Sequence, residues 1–150
     1  MASWREVSDE APEFAARVRR LFDARKHKTM ATLRRDGSPR ISGTELEFGD
    51  DEIHLGMMSG SMKALDVRRD SRIALHSPTV DPPDDDPSAW PGEAKIAGRA
   101  IPASGDNPAD GVRFRVEIDE VVLTHVGTPA DHLVIESWHP GRGLERRIRR

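Results

Sequence analysis

Between residues 28 and 138 the chain alternates short extended stretches with turn signals, a pattern that points to an antiparallel sheet. Residues 28–34 and 40–48 flank Asp36-Gly37, a dipeptide suited to a tight hairpin because both residues tolerate positive φ. Gly49-Asp50-Asp51 marks a second turn. Beyond it Ile53, Leu55 and Met57 alternate with Glu52, His54 and Gly56, giving a third strand one apolar face. Residues 72–76, 93–103, 112–118, 121–126 and 132–138 read as further strands. The stretches 112–118 and 121–126 are either two strands or one strand bent at Asp119-Glu120. Gly98 lies inside a strand, where glycine marks a bulge or a close backbone approach. So many short strands predict a mainly β fold: a closed or nearly closed antiparallel barrel of six to eight strands with peripheral helices.

Two helices accompany the strands. Within residues 11–26, Phe14, Val18, Leu21 and Phe22 fall on one helical face, and Pro12 suits a first turn. A shorter helix spans residues 61–69, with Met62, Leu65 and Val67 as its apolar residues and Asp70-Ser71 closing it. Residues 77–92 contain five prolines and four aspartates and read as a long exposed loop. Trp90 either anchors this loop or lids a pocket. The aspartates lack the alternating spacing and glycine of a calcium loop, so no metal site is expected. The chain reads as one domain over residues 1–150, with a helical segment at 1–26 and a solvated basic C-terminal tail at 139–150 after the break at Pro140-Gly141.

Composition removes several classes of function. With 36% hydrophobic and 33% charged residues and no apolar run of about 18 residues, a membrane-spanning helix is not expected. Residues 1–10 are polar and acidic where a signal peptide is apolar, so the expected compartment is the cytoplasm. The absence of cysteine excludes disulfides, thiolate zinc sites and a cysteine nucleophile. A net charge of −3, 5% aromatic residues and no tyrosine argue against a nucleic-acid module.

The stretch most suited to chemistry is the turn from the third strand into the short helix, Met57-Met58-Ser59-Gly60-Ser61-Met62-Lys63. Small residues before a helix N-terminus expose backbone N–H groups to an anion, and Lys63 adds a cation in the first turn. It is not a nucleotide P-loop: the residue five after Gly56 is Ser61, and Ala64 stands where a magnesium-binding hydroxyl is needed. Nor is it a serine-hydrolase elbow, because Ser59 comes one place late. Locally it is either a phosphate-binding turn or an ordinary strand-to-helix turn. None of the six histidines forms an H-E-x-x-H pattern. His139, next to Trp138, is the candidate proton donor.

The run Thr32-Leu33-Arg34-Arg35-Asp36-Gly37-Ser38-Pro39-Arg40, then Leu55-Gly56 and Gly60-Ser61-Met62-Lys63-Ala64, then Arg68-Arg69-Asp70-Ser71-Arg72-Ile73-Ala74-Leu75, resembles the pyridoxamine 5′-phosphate oxidase-like family of flavin-binding split barrels. The likeness is strongest over residues 27–76 and looser over 93–126. It implies a split β-barrel homodimer with its cofactor sites at the interface, holding FMN or coenzyme F420. The implied activity is hydride transfer to or from a small organic substrate. By the same resemblance, Ser61 and Lys63 hold the cofactor phosphate, with Arg40 as a third contact. The backbone of Arg40, Ile41 and Ser42 and of Met57, Met58 and Ser59 flanks the ring, and Trp138 and Arg142 of the partner subunit close the site. Members that oxidise pyridoxamine phosphate carry an arginine where Met62 stands and a lysine near Glu45. Their C-terminal arginine-leucine motif is not recognisable in Arg142-Gly143-Leu144-Glu145, so that particular activity is not expected here. The alternative is a non-catalytic split barrel that binds a cofactor or a tetrapyrrole.

Overall fold

The computed structural model describes residues 1–103 and 111–150. Among these, the elements in chain order are α1 (Trp4–Glu10), α2 (Pro12–Asp23), β1 (Lys28–Leu33), β2 (Pro39–Phe48), β3 (Ile53–Met57), α3 (Met62–Arg69), β4 (Arg72–His76), β5 (Glu93–Pro102), β6 (Val112–Val126), β7 (Leu133–His139) and β8 (Gly143–Arg149), with a 3-10 turn at Pro87–Ala89. One antiparallel sheet runs β3-β2-β1-β4-β5-β6-β7-β8, and a further pairing of β3 with β6 closes the first six strands into a barrel. The start of β6 seals the barrel against β3, while its far half carries β7 and then β8 outward.

The long β6 explains why this part of the sequence admits two readings. Ala97 pairs with Glu120 but Gly98 pairs with Ile118, so Asp119 is an extra residue on β6, a β-bulge. The bulge shifts the inward parity by one. Before it Val112, Phe114, Val116 and Ile118 are buried; after it Val121 and Leu123 are. The apolar pattern breaks at Asp119, yet the strand continues. Opposite the bulge, a Cβ on Gly98 would lie 1.9 Å from the Glu117 carbonyl oxygen, so only glycine permits this approach.

The barrel core holds Met30, Ile53, Leu55, Leu75, Ile96, Phe114 and Val116. Helix α2 adds Phe14, Val18, Leu21 and Phe22, as its spacing predicts. Its partner α1 goes unseen in the periodicity. The signal was the Ser3-x-x-Glu6 spacing: the Ser3 hydroxyl accepts from the Glu6 N–H at 3.3 Å and caps this single short helix. Trp4 of α1 meets Phe48 edge-on at 4.9 Å, which pins the helical layer to the end of β2.

Two expectations are corrected and one open alternative is decided. Helix α3 buries Ala64, Asp66 and Val67 and leaves Met62 and Leu65 at 55% and 47% exposure, so its inward face is partly polar. Residues 143–149 are not a solvated tail but strand β8, paired with β7 across a tight turn at Pro140-Gly141. Here hydrogen bonding overrides charge: Leu144 and Ile148 alternate with Glu145 and Arg147, the period of an edge strand. In the loop, the Trp90 indole N–H donates to the Val80 carbonyl at 2.9 Å, which makes Trp90 an anchor. No helix among the described residues is long and apolar enough to cross a membrane.

Candidate functional site

Strand β3 delivers the chain to the turn at residues 58–60, and α3 starts directly after it. Ser61 is the N-cap of α3: its Oγ accepts the Ala64 N–H at 3.3 Å and donates to the Met58 carbonyl at 2.7 Å. The hydroxyl thus builds the turn, with one lone pair of the oxygen still to spare. Lys63 reaches back to β2, where Nζ donates to the Gly43 carbonyl at 2.6 Å; two ammonium protons remain for another acceptor. The first intrahelical bond runs from Leu65 N–H to Ser61 O, so the N–H groups of Met62 and Lys63 precede it.

One helical turn further on, Asp66 ties α3 to β1 and β2. The residue is 1% exposed, and its carboxylate accepts from Thr32 Oγ1 at 2.7 Å, Arg40 Nε at 2.7 Å and Arg69 Nη2 at 3.0 Å. Thr32 and Arg40 are direct cross-strand partners. Burial pushes the Asp66 carboxyl upward, but the bonds from Thr32, Arg40 and Arg69 outweigh it and hold the group below its ordinary value. Arg69 also donates to the Leu33 carbonyl at 2.8 Å. Three cations, Arg40, Lys63 and Arg69, therefore lie along this seam with a single buried carboxylate among them. The surplus is positive, and the donors suit a phosphate.

The chain itself brings Arg40, Ser61 and Lys63 onto one seam. Ile41 is 75% exposed and Met58 79% exposed beside it, while Ser42 is half-buried and Ser59 exposed. The Met57 side chain points into the core, so Met57 has only its backbone to offer. Trp138 stands elsewhere: it is 1% exposed, and its indole N–H donates to Glu10 at 2.8 Å. A side chain locked beneath α1 of its own chain cannot shield a ring in a second copy, which corrects that assignment. Arg142 is exposed in the β7–β8 turn, 3.9 Å from the Glu145 carboxylate. His139 Nε2 lies 2.8 Å from Glu120 and its Nδ1 is buried without a partner, so its contacts are on β6, not at the turn.

Asp66 and Thr32 are the residues that sequence reasoning missed. Lys63, Asp66 and Arg69 are spaced i, i+3, i+6 and form a polar stripe on α3. Weighting Met62 and Leu65 as the inward face hid it.

The fold has known counterparts. No protein-family model and no curated protein sequence matches the chain. Among solved structures, a pyridoxamine 5′-phosphate oxidase-related, FMN-binding protein from Nostoc punctiforme superimposes with a TM-score of 0.64 at 9% identity, covering 93% of this chain and 96% of that one. PhzG from Burkholderia lata, solved with tetrahydrophenazine-1-carboxylic acid, gives 0.61 at 13% identity, over 92% and 86%. An F420 reductase gives 0.50 at 15% identity, over 67% and 92%. The chain thus has the split-barrel fold of the pyridoxamine 5′-phosphate oxidase-like proteins.

Proposed function

We propose that the turn at residues 57–63 holds the phosphate of a flavin-type cofactor, FMN or coenzyme F420, in a cytoplasmic oxidoreductase acting on a small organic substrate. The observation that carries this reading is the cationic seam: Lys63 on Gly43 and Arg40 on Asp66 fix two positive groups beside the opening of α3. Lys63 and Arg40 would neutralise the phosphate, and the N–H groups of Met62 and Lys63 would complete its shell. Ser61 shapes the turn and offers its remaining lone pair only to a donor. The backbone of Arg40, Ile41 and Ser42 and of Met58 and Ser59 would border the ring. Such a cofactor, when bound, supplies the hydride chemistry, and the protein contributes position and charge.

The outer barrel face supports a homodimer. Ile41, Ala31, Ala74 and Ala97 are successive cross-strand partners, a row of small apolar residues ending in the exposed Ile41. A second copy packed there would bring its own surface up to Met58 and the seam. Arg142, exposed in its turn, is the group left to reach across such an interface.

A second reading, a carrier that holds a cofactor or tetrapyrrole without turnover, rests on the position of His139. That candidate proton donor is engaged with Glu120 instead of facing the turn. Titrating FMN and coenzyme F420 into purified protein, followed by absorbance and fluorescence, tests the common claim. Saturable binding of either supports it, and no response at tens of micromolar contradicts it. Hydride transfer with any member of a substrate panel then selects the enzyme over the carrier.

A further inference from the structure

Away from the seam, a cleft of about 490 Å³ opens between the loop joining β6 to β7 and one face of β8. Its lining includes Thr128, Pro129, His132, Arg146, Ile148 and Arg150. Arg146 and Ile148 fall two residues apart on one face of β8, and Arg150, just past the strand, lines the same cleft. The helical layer reaches only as far as β7 on this side, through Glu10 with Trp138 and Arg17 with Glu136. The same face of β8 is left open, and Ile148 is 55% exposed.

The loop wall is held firmly. Gly127 N–H donates to the His132 carbonyl at 2.9 Å, and the His132 ring lies on Gly127 so closely that a Cβ there would meet Nε2 at 2.0 Å. His132 Nδ1 lies 2.7 Å from the Asp131 carboxylate, which also approaches Arg150 at 3.8 Å. Arg146 faces Glu136 across the strands, but the Glu136 carboxylate is taken by His125 at 3.1 Å and Arg17 at 3.4 Å. Among the described residues, Arg146 has no ion pair.

We propose that this cleft binds a small organic monocarboxylate whose apolar body is larger than a methyl group. Arg150 already approaches Asp131, whereas Arg146 has no ion pair among the described residues and is left to take one negative charge; guanidinium geometry matches a carboxylate in bidentate fashion. Ile148 and Pro129 offer an apolar surface for the body of the ligand. The volume is that of ordinary small-molecule sites. Every lining residue lies outside the cofactor turn, so the site stands or falls independently of what that turn holds.

The test uses benzoate as probe on the full chain, with benzamide as its neutral analogue and acetate as its truncated one, at constant ionic strength. Backbone amide shifts are followed by NMR. Benzoate shifts the amides of residues 127–132 and 146–150 saturably, and both analogues bind at least about tenfold more weakly. Replacing Arg146 and Arg150 together by glutamine lowers benzoate affinity by about tenfold or more while the unperturbed spectrum stays folded. Both side chains are exposed, so the variant is expected to fold. Benzamide binding as well as benzoate, acetate binding as well as benzoate, shifts mapping elsewhere, or an unchanged affinity in the double variant would each overturn the proposal.

Discussion

Asp66 shows how a single buried side chain ties a helix to two strands. Its two guanidinium partners remain partly solvated, at 21% and 31% side-chain exposure, so they keep some hydration if the carboxylate is lost. Asp66→Ala should therefore cost about 2–4 kcal/mol, near the lower end for breaking a buried pair, measured by urea unfolding. Asp66→Asn, which keeps the shape, should cost less. The sign with pH follows from the depressed carboxyl. Asp66 stabilises fully at neutral pH, and its contribution is lost as pH falls below the ordinary value of 3.8 and through the lower folded one. Half-buried Asp70 behaves alike: the side-chain bond from Arg72 lowers it to about 2, so its contribution disappears between about pH 4 and pH 2. Wild-type unfolding midpoints should drop over that range, and Asp70→Asn should flatten part of the drop. An unaltered acid limb in that variant would show that the Asp70–Arg72 pair does not couple to folding. The turn before α3 and its cap at Ser61 were legible because a turn and a helix N-terminus announce themselves in short-range sequence. Asp66 was not, because its partners Thr32 and Arg40 come from strands far away in the chain.

At the scale of elements, local patterns succeeded where each element obeys one period and failed where tertiary structure changes the period. Strands β1 to β5 follow alternation and turn chemistry, and the sequence places them within a residue or so. In β6 the bulge at Asp119 shifts the inward set from even to odd positions, which no single period describes. Strand β8 was hidden by its charge, since an arginine-rich segment looks solvated until its backbone finds β7. Gly98 was visible as a special position, and the reason is now specific: the Glu117 carbonyl fills the space of a Cβ. Gly98→Ala should destabilise the fold by about 1–3 kcal/mol, read as a lower urea midpoint with an unchanged slope. Equal stability would mean that the bulge relaxes at little cost.

At the scale of the molecule, a six-stranded barrel supplies rigidity, α3 sits against the β1–β2 side of it, and the β7–β8 hairpin extends away. The apolar row ending at Ile41 predicts self-association. Wild-type protein should sediment as a dimer, and Ile41→Lys should shift it toward monomer, since a buried unpaired charge in an apolar contact costs several kcal/mol, of order 2–5. A wild-type monomer at working concentration would remove the interface from the cofactor site. The central claim concerns the phosphate, and it is tested most directly by comparing each cofactor with its phosphate-free form: FMN with riboflavin, and F420 with its phosphate-free deazaflavin, against wild type and Lys63→Ala. For the cofactor that binds, the phosphate should improve affinity by at least about tenfold in the wild type, and most of that gain should vanish in Lys63→Ala. Equal affinity with and without phosphate, or an undiminished gain in the variant, would contradict the assignment of the turn at residues 57–63 to a cofactor phosphate.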